Sequence, residues 1–276
     1  MPANPRSGFV PVVDGKLYFE AAGSGPAIVF IHAAIADRRM WNREFDLYSK
    51  DRTVVRYDVR GLGRSPAATS AYSDVDDLRA LLEHLQIAKA TIVGCSNGGR
   101  IALDFALENP GRVSALLLVA AGVSGFTLEL APEGKSVFES DNARSAKIPA
   151  DWKAGRREEA LEGLRGYWAS AQAGANVDLV RTMMRENAGE IFSDASASHS
   201  RSLEPPAAGR LRSIGVPTIV LQGDRDEPGM TYITGYIARE IPHAKLVSVA
   251  GADHLVNMSR PAEFDKALRE LLGRAH

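Results

Sequence analysis

The feature that most constrains this chain is an apolar run that ends in a Gly-x-Ser-x-Gly pattern and leads directly into a helical pattern. The run begins at Thr91, the pattern spans residues 94–98, and the helical spacing continues from Arg100. This order of strand, sharp turn and helix holds a serine hydroxyl above a sheet, and the two glycines let the backbone close on itself. Because both flanking patterns are present, the stretch indicates more than a glycine-rich loop. Ser96 is therefore a candidate nucleophile.

Length and charge predict one compact body with no nucleic-acid partner. The chain has 276 residues, of which 45% are hydrophobic, so it can bury a large core. Its 33 basic and 34 acidic residues nearly cancel, and no long basic run is present to follow a phosphate backbone. The single cysteine, Cys95, cannot form an internal disulfide, and its place in the turn predicts a small buried residue.

The N-terminal residues do not predict a secretory signal, and the sequence does not predict a membrane span. Residues 1–7 lack the apolar stretch of a secretory signal, and no apolar run approaches membrane-spanning length. We therefore expect a cytoplasmic protein with no membrane partner, and we expect it to be a monomer or a homodimer.

Buried strands alternate with amphipathic helices through much of the chain, which is typical of a mostly parallel sheet covered on both faces. A hairpin over residues 9–22 turns at Asp14-Gly15, a favoured two-residue turn. Further strands are predicted at 27–31, 53–58, from 91, at 113–120, 217–222 and 246–249.

The alternation stops after the sixth predicted strand. Within the gap, residues 156–171 and 177–187 have apolar side chains at helical spacing. We predict that residues 122–212 form an inserted helical cap, and that residues 1–121 and 213–276 form the core.

A serine hydroxyl needs a base within hydrogen-bond reach and a third group that orients the base. His254 follows a predicted strand end, where loops gather at the carboxyl edge of an α/β sheet, and it is the best base candidate. His32 also follows a strand, but it precedes the serine, whereas this turn is associated with the order serine, acid, histidine. We assign His32 a supporting hydrogen-bonding role. Solvation or local hydrogen bonding is expected of the other histidines, His84, His199, His243 and His276.

The acid is expected after a strand end between the serine and the histidine. The loop that follows residues 217–222 offers Asp224, Asp226 and Glu227. Asp224 can instead stabilise the turn, and Glu227 can face solvent. Spacing alone does not choose among the three.

Five motifs in this order resemble those of the α/β-hydrolase family, over nearly the whole chain. They are residues 30–34 with Trp41 downstream, 57–65, 94–99, 223–226 and 251–254. The resemblance implies a mostly parallel eight-stranded sheet, flanked by helices and carrying a helical cap. It also maps the acid onto Asp226, with Asp224 as the alternative.

The spacing from His32 to Trp41 is most similar to the serine hydrolase branch of bacterial arylesterases, cofactor-free haloperoxidases and lactonases. In that branch one oxyanion donor is an amide that maps onto Ala34, and the second follows the nucleophile, here Asn97. Ala33 stands where glycine is usual, so a positive φ there would strain the backbone.

The resemblance implies acyl transfer by Ser96, His254 and Asp226 on an ester or lactone, without a metal or organic cofactor. The serine disfavours epoxide hydrolases and haloalkane dehalogenases, which carry aspartate at this turn. Hydrolysis of C–C bonds, perhydrolysis, a cofactor-free lyase reaction and a non-hydrolytic receptor remain open.

The predicted cap is expected to set substrate choice. We expect a pocket wall that includes Ala33, Trp152, Tyr167, Trp168 and Met183. Packing within the cap is the alternative for each of its large side chains. No charged motif stands out as a clamp for carboxylate or phosphate, so a small or medium, mostly apolar substrate is expected.

Overall fold

The computed structural model describes residues 5–193 and 199–274, and within these ranges eight strands form one sheet. The strands are β1 (Arg6–Val12), β2 (Gly15–Ala22), β3 (Ala27–Ile31), β4 (Thr53–Tyr57), β5 (Ala90–Cys95), β6 (Val113–Val119), β7 (Thr218–Gly223) and β8 (Lys245–Val249). Their order across the sheet is β1-β2-β4-β3-β5-β6-β7-β8. β2 is antiparallel to β1 and β4, and all other neighbours are parallel. The predicted mostly parallel eight-stranded sheet is confirmed.

Both faces of the central sheet are covered, which explains why its strands are apolar without alternation. In β3, Val29 and Ile31 pack into one hydrophobic cluster, whereas Ile28 and Phe30 pack into the cluster on the other face. Every residue of β5 and β7 is buried. The loops that follow β5 and β7 therefore start from fully buried strands.

Helices flank the sheet on both faces. They are α1 (Asn42–Tyr48), α2 (Asp74–His84), α3 (Asn97–Glu108), α4 (Lys135–Ser145), α5 (Lys147–Lys153), α6 (Arg157–Trp168), α7 (Ala175–Glu186), α8 (Ala188–Ile191), α9 (Pro228–Glu240), α10 (Val256–Ser259) and α11 (Pro261–Leu272). None of the helices within the described ranges is long and apolar enough to span a membrane.

The predicted cap, residues 122–212, contains α4 to α8. The helices expected at 156–171 and 177–187 are observed as α6 and α7. Helices α4 and α5 were not predicted, because α4 buries only the polar Asp141 and has no apolar stripe for a periodicity analysis to detect. Side chains of α6 and α7 pack into the same hydrophobic cluster as β3. The division into core and cap stays a prediction.

Candidate active site

The turn between β5 and α3 holds Ser96 in a strained conformation. Its φ of 55° and ψ of −115° lie in a region that non-glycine residues rarely occupy. The Ser96 N–H donates to the Val119 carbonyl at 2.9 Å, and the Ser96 carbonyl accepts from the Gly99 and Gly122 amides at 2.9 and 3.0 Å. Backbone hydrogen bonds on both sides therefore maintain the strain at this serine.

Glycines around the serine are required by close backbone contacts. A Cβ atom on Gly94 would lie 2.2 Å from the Gly98 carbonyl oxygen, and one on Gly98 would lie 2.3 Å from that of Ile31. A Cβ atom on Gly99 would lie 2.4 Å from the Ala121 methyl group. These distances are too short for any side chain, so only glycine allows the turn to close.

His254 and Asp226 form a buried pair at the carboxyl ends of β8 and β7. His254 Nδ1 lies 3.1 and 3.0 Å from the two Asp226 carboxylate oxygens, and the two side chains are 2% and 1% exposed. Because an ionised carboxylate can only accept, Nδ1 carries the proton and Nε2 is free to act as a base.

The other two carboxylates of the same loop are engaged elsewhere. Asp224 is exposed and accepts the Gly251 N–H at 2.6 Å, so it stabilises the neighbouring loop. Glu227 is buried and forms an ion pair with Arg144 of α4. Only Asp226 of these three contacts His254, which separates the alternatives that spacing left open.

The serine turn and the loop that carries His254 pack directly on each other. Cys95 Sγ lies 3.6 Å from the His254 carbonyl oxygen, and burial raises the pKa of the Cys95 thiol well above its usual range. The cysteine is therefore a buried packing residue, as its position predicted. The Ser96 hydroxyl makes no hydrogen bond to another described residue, and such bonds often tighten only when substrate is bound.

His32 links the loop after β3 to the loop after β4. Its Nε2 accepts the Val59 N–H at 2.9 Å, so its Nδ1 carries a proton and donates to the Ala33 carbonyl at 2.8 Å. The supporting hydrogen-bonding role predicted for His32 is confirmed. Of the other histidines, His84 packs on Phe19, His243 lies before β8, His199 lies in the predicted cap, and His276 falls outside the described residues.

The two residues predicted to supply the oxyanion donors, Asn97 and Ala34, line the same cavity. Asn97 is the first residue of α3, where N–H groups have no acceptor within the helix, and Ala34 lies in the exposed turn after β3. Within the described residues, neither amide donates a hydrogen bond. Ala33 is not among the residues with positive φ, so the strain considered for alanine there does not occur.

Two cavities lie against this region. A cavity of about 390 Å³ is lined by Ala34 and Asn97 together with polar side chains that include Arg60, Tyr72, Arg100 and Glu190. A second, more apolar cavity of about 410 Å³ is lined by Phe138, Ile148, Tyr167, Trp168, Phe192 and Met230, among others. Ile191 borders both cavities. A larger cavity of about 630 Å³ lies at the amino ends of the strands and contains none of the predicted site residues.

The predicted pocket residues divide into two groups. Tyr167 and Trp168 line the apolar cavity. The ring centroids of Trp168 and His254 lie 4.5 Å apart, and the two ring planes are inclined at 44°. Trp152 instead stacks on Phe192 at 4.2 Å and lines neither of the two cavities described above. Ala33 and Met183 are wholly buried, so in this conformation they pack in the core rather than form a pocket wall.

Two site residues escaped the sequence analysis. Arg100 donates from Nε to the Asn97 side chain at 2.8 Å and pairs with Asp74 and Asp104, which fixes the first turn of α3. Asp253 precedes His254 and is 1% exposed, and burial raises the pKa of its carboxyl. The position of Arg100 three residues after Asn97 could have suggested the first contact. No local sequence signal indicates the role of Asp253.

Metal ligands are not grouped in the described ranges. Among residues 5–193 and 199–274, the structure contains no group of three or more His, Cys, Asp or Glu side chains that could hold a metal ion.

Comparisons with known proteins agree with this architecture. A Bacillus subtilis protein provisionally named 2-succinyl-6-hydroxy-2,4-cyclohexadiene-1-carboxylate synthase is 26% identical over 282 residues, covering 95% of this chain and 97% of that protein. The 3-oxoadipate enol-lactonase 1 of Acinetobacter baylyi is 24% identical, covering 87% and 86%. The structure of a thermophilic esterase from Thermogutta terrifontis superposes with a TM-score of 0.75 at 22% identity, covering 98% and 99%.

A family model described as the alpha/beta hydrolase family matches residues 28–267. This match includes the strained serine turn and the buried histidine and aspartate that follow it in the chain. The protein belongs to the alpha/beta hydrolase family.

Proposed function

We propose that this protein is a serine hydrolase that cleaves a small or medium, mostly apolar carboxylic ester or lactone through an acyl-enzyme. The observation that carries the proposal is the buried His254–Asp226 pair, which leaves Nε2 as the basic nitrogen of a histidine whose backbone contacts Cys95, the residue before the strained Ser96. Relatives named as an enol-lactonase and an esterase support this class of reaction.

In the proposed reaction, His254 Nε2 removes the proton from the Ser96 hydroxyl as Oγ attacks the substrate carbonyl. The C–O bond to the leaving group then breaks, and the protonated imidazole returns the proton to the departing oxygen. Water, deprotonated by the same nitrogen, attacks the acyl-enzyme and releases the acid. Asp226 holds the imidazole in the required tautomer and stabilises its charged form.

Negative charge develops on the carbonyl oxygen in both steps. The amides of Asn97 and Ala34 are proposed to donate to that oxygen, because both N–H groups lack another acceptor among the described residues. Loss of one such donor would raise the barrier by about 3 kcal/mol. Arg100 would maintain the Asn97 position through the 2.8 Å contact to its side chain.

Residues 122–212 are proposed to act as a cap that selects the substrate. The apolar cavity beside Trp168 is lined by residues of α4, α5 and α6, together with Met230 and Ile233 of α9. Its size of about 410 Å³ suits the apolar part of a small ester or lactone.

A cofactor-free lyase reaction on the same groups is the second candidate. It is favoured by one observation, the 26% identity to a protein provisionally named as a synthase. Such a reaction would cleave the substrate by elimination and would consume no water.

The test is hydrolysis of p-nitrophenyl acetate by the wild-type protein and by Ser96→Ala. We expect a fall in kcat on the order of 10⁶-fold, since the attacking oxygen is removed. Equal rates in the two proteins would refute the acyl-enzyme.

A panel of lactones, followed by acid release, then separates lactonase from esterase activity. Acid release from a lactone, faster than from the matching open-chain ester, identifies a lactonase. Conversion in ¹⁸O-labelled water without incorporation of the label into the product favours the lyase.

A further inference from the structure

Asp253, the residue before His254, connects the histidine loop to the predicted cap. Its carboxylate accepts the Ala171 N–H at 2.9 Å and the Leu255 N–H at 3.1 Å. It also accepts from Gln172 Nε2, which lies 2.8 and 3.1 Å from its two oxygens. Two of these three donor residues belong to the loop between α6 and α7. The predicted cap therefore contacts this carboxylate although Gln172 and Asp253 are 81 residues apart in sequence.

The orientation of the Gln172 amide is determined by this contact. A carboxylate only accepts hydrogen bonds, so the amide nitrogen must face Asp253. The Gln172 carbonyl oxygen is then buried without a partner among the described residues. A buried unpaired oxygen costs free energy, and this cost is offset by the hydrogen bonds of Nε2 to Asp253 and, at 3.4 Å, to the Leu255 carbonyl.

Trp168 stands at the start of the same loop. Its ring lies 4.5 Å from the His254 ring, and His254 is 2% exposed. We use the term histidine brace for Trp168, Ala171, Gln172 and Asp253. The brace contacts the imidazole ring and fixes the backbone from which that ring projects, whereas Asp226 contacts only the Nδ1 edge.

A base must lie within a fraction of an ångström of its productive position, because a misplacement of about 1 Å costs on the order of 10²-fold in rate. Asp226 contacts the imidazole only at Nδ1, whereas Trp168 packs on the ring itself and Asp253 accepts the N–H of Leu255, the residue after His254.

We propose that Asp253 and Gln172 are positioning residues for His254, so that the cap controls the rate of the chemical step as well as substrate choice. The proposal rests on the proposed function for the role of His254 as base. Neither residue touches the reacting atoms, and both act through the imidazole.

The central variant is Gln172→Leu, which removes the amide donor at similar volume. We expect kcat to fall by about 10- to 100-fold, with KM within about twofold of wild type. The matched control is Asn176→Leu, because Asn176 Nδ2 donates to the Met258 carbonyl at 2.9 Å and so also joins the predicted cap to α10, the helix that follows His254. We expect its kcat to stay within about twofold.

A double-mutant cycle with Asp253→Asn identifies the shared contact. If both residues act through it, Gln172→Leu in the Asp253→Asn background costs less than in wild type. Additive losses, or an equal fall in Asn176→Leu, would overturn the proposal.

Two further measurements separate this proposal from the proposed function. A fluorophosphonate probe labels an activated serine without a known substrate, so an unlabelled wild type would refute the serine hydrolase. The proton on His254 Nδ1 is observed directly by NMR whether or not hydrolysis occurs. We expect its resonance to broaden in Gln172→Leu and to remain sharp in Asn176→Leu. An unchanged resonance in a folded Gln172→Leu protein would overturn the brace.

Discussion

Replacing Asp226 with asparagine tests whether this carboxylate sets the protonation of His254. Asp226 Oδ1 accepts the Glu227 N–H at 2.8 Å, and Oδ2 lies 3.0 Å from His254 Nδ1. In asparagine the carbonyl oxygen keeps the position beside the Glu227 N–H, because an acceptor is needed there. The amide nitrogen then faces Nδ1 and donates to it, so the imidazole proton moves to Nε2.

The expected loss of activity is large, since Nε2 is the atom proposed to take the serine proton. A histidine held in the wrong tautomer lowers kcat by about 10⁴-fold in a serine hydrolase. That factor corresponds to about 5.4 kcal/mol in the activation barrier. Solvent cannot replace the lost acceptor, because the His254 and Asp226 side chains are 2% and 1% exposed.

The assay is kcat/KM for p-nitrophenyl acetate, with the unfolding temperature of each variant as a check on folding. Asp224→Asn is the matched control, because Asp224 lies in the same loop and accepts the Gly251 N–H without touching His254. We expect this control to stay within about threefold of wild type. An Asp226→Asn protein within about tenfold of wild type would refute the tautomer argument. The opposite order of losses would assign the acid to Asp224.

Three further predictions concern stability and the serine turn. Burial raises the pKa of Glu44 from 4.5 to about 7, so its contribution to stability is present below pH 4.5 and is lost as the pH rises through 7. Glu44→Gln should therefore gain up to about 3 kcal/mol relative to wild type between pH 4.5 and 8, measured by urea unfolding, and a constant difference would contradict this. Gly98→Ala should destabilise the protein by about 3 kcal/mol in the same measurement, because the new methyl group meets the Ile31 carbonyl. Cys95→Ala should keep esterase activity, and wild-type Cys95 should resist iodoacetamide in the folded state, as followed by mass spectrometry.

The serine turn was predictable because its determinants are local. The apolar β5, the glycines on either side of Ser96 and the start of α3 all lie within one short stretch of sequence. Steric exclusion around these glycines leaves the backbone one way to close, and the observed φ of 55° at the serine follows from it.

The choice between Asp224 and Asp226 was not available from the residues alone. Two carboxylates two positions apart in one loop are equivalent in pattern, and their directions depend on contacts with another loop. The Arg225 N–H donates to the Ala252 carbonyl at 2.9 Å, which fixes how the loop lies on the histidine segment. The family resemblance indicates Asp226, and His254 Nδ1 lies 3.1 and 3.0 Å from the oxygens of that carboxylate.

The predicted cap was the least accessible part of the fold. Helix α4 is positioned by polar contacts, since Asp141 accepts the Gly229 N–H at 2.5 Å and Arg144 pairs with Glu227. Both partners lie more than eighty residues away in sequence. Hydrophobic periodicity detects an apolar stripe on a helix, and it does not predict long-range polar contacts of this kind. The same reason explains why Asp253 and Gln172 were missed.

In the loop between α6 and α7, the predicted cap both lines the apolar cavity and supports His254, and one substitution would alter both. Trp168 lines the apolar cavity, where it would contact substrate, and it also packs on the His254 ring. A larger or smaller residue at this position therefore changes the cavity and the support of the imidazole together. Ala171 and Gln172 carry the same loop to Asp253, so displacement of the loop by a bulky substrate would pull on the backbone of the base. Under the proposed function, substrates that leave this loop in place are the ones for which His254 would remain aligned, and selection by the predicted cap would then act on the rate of the chemical step.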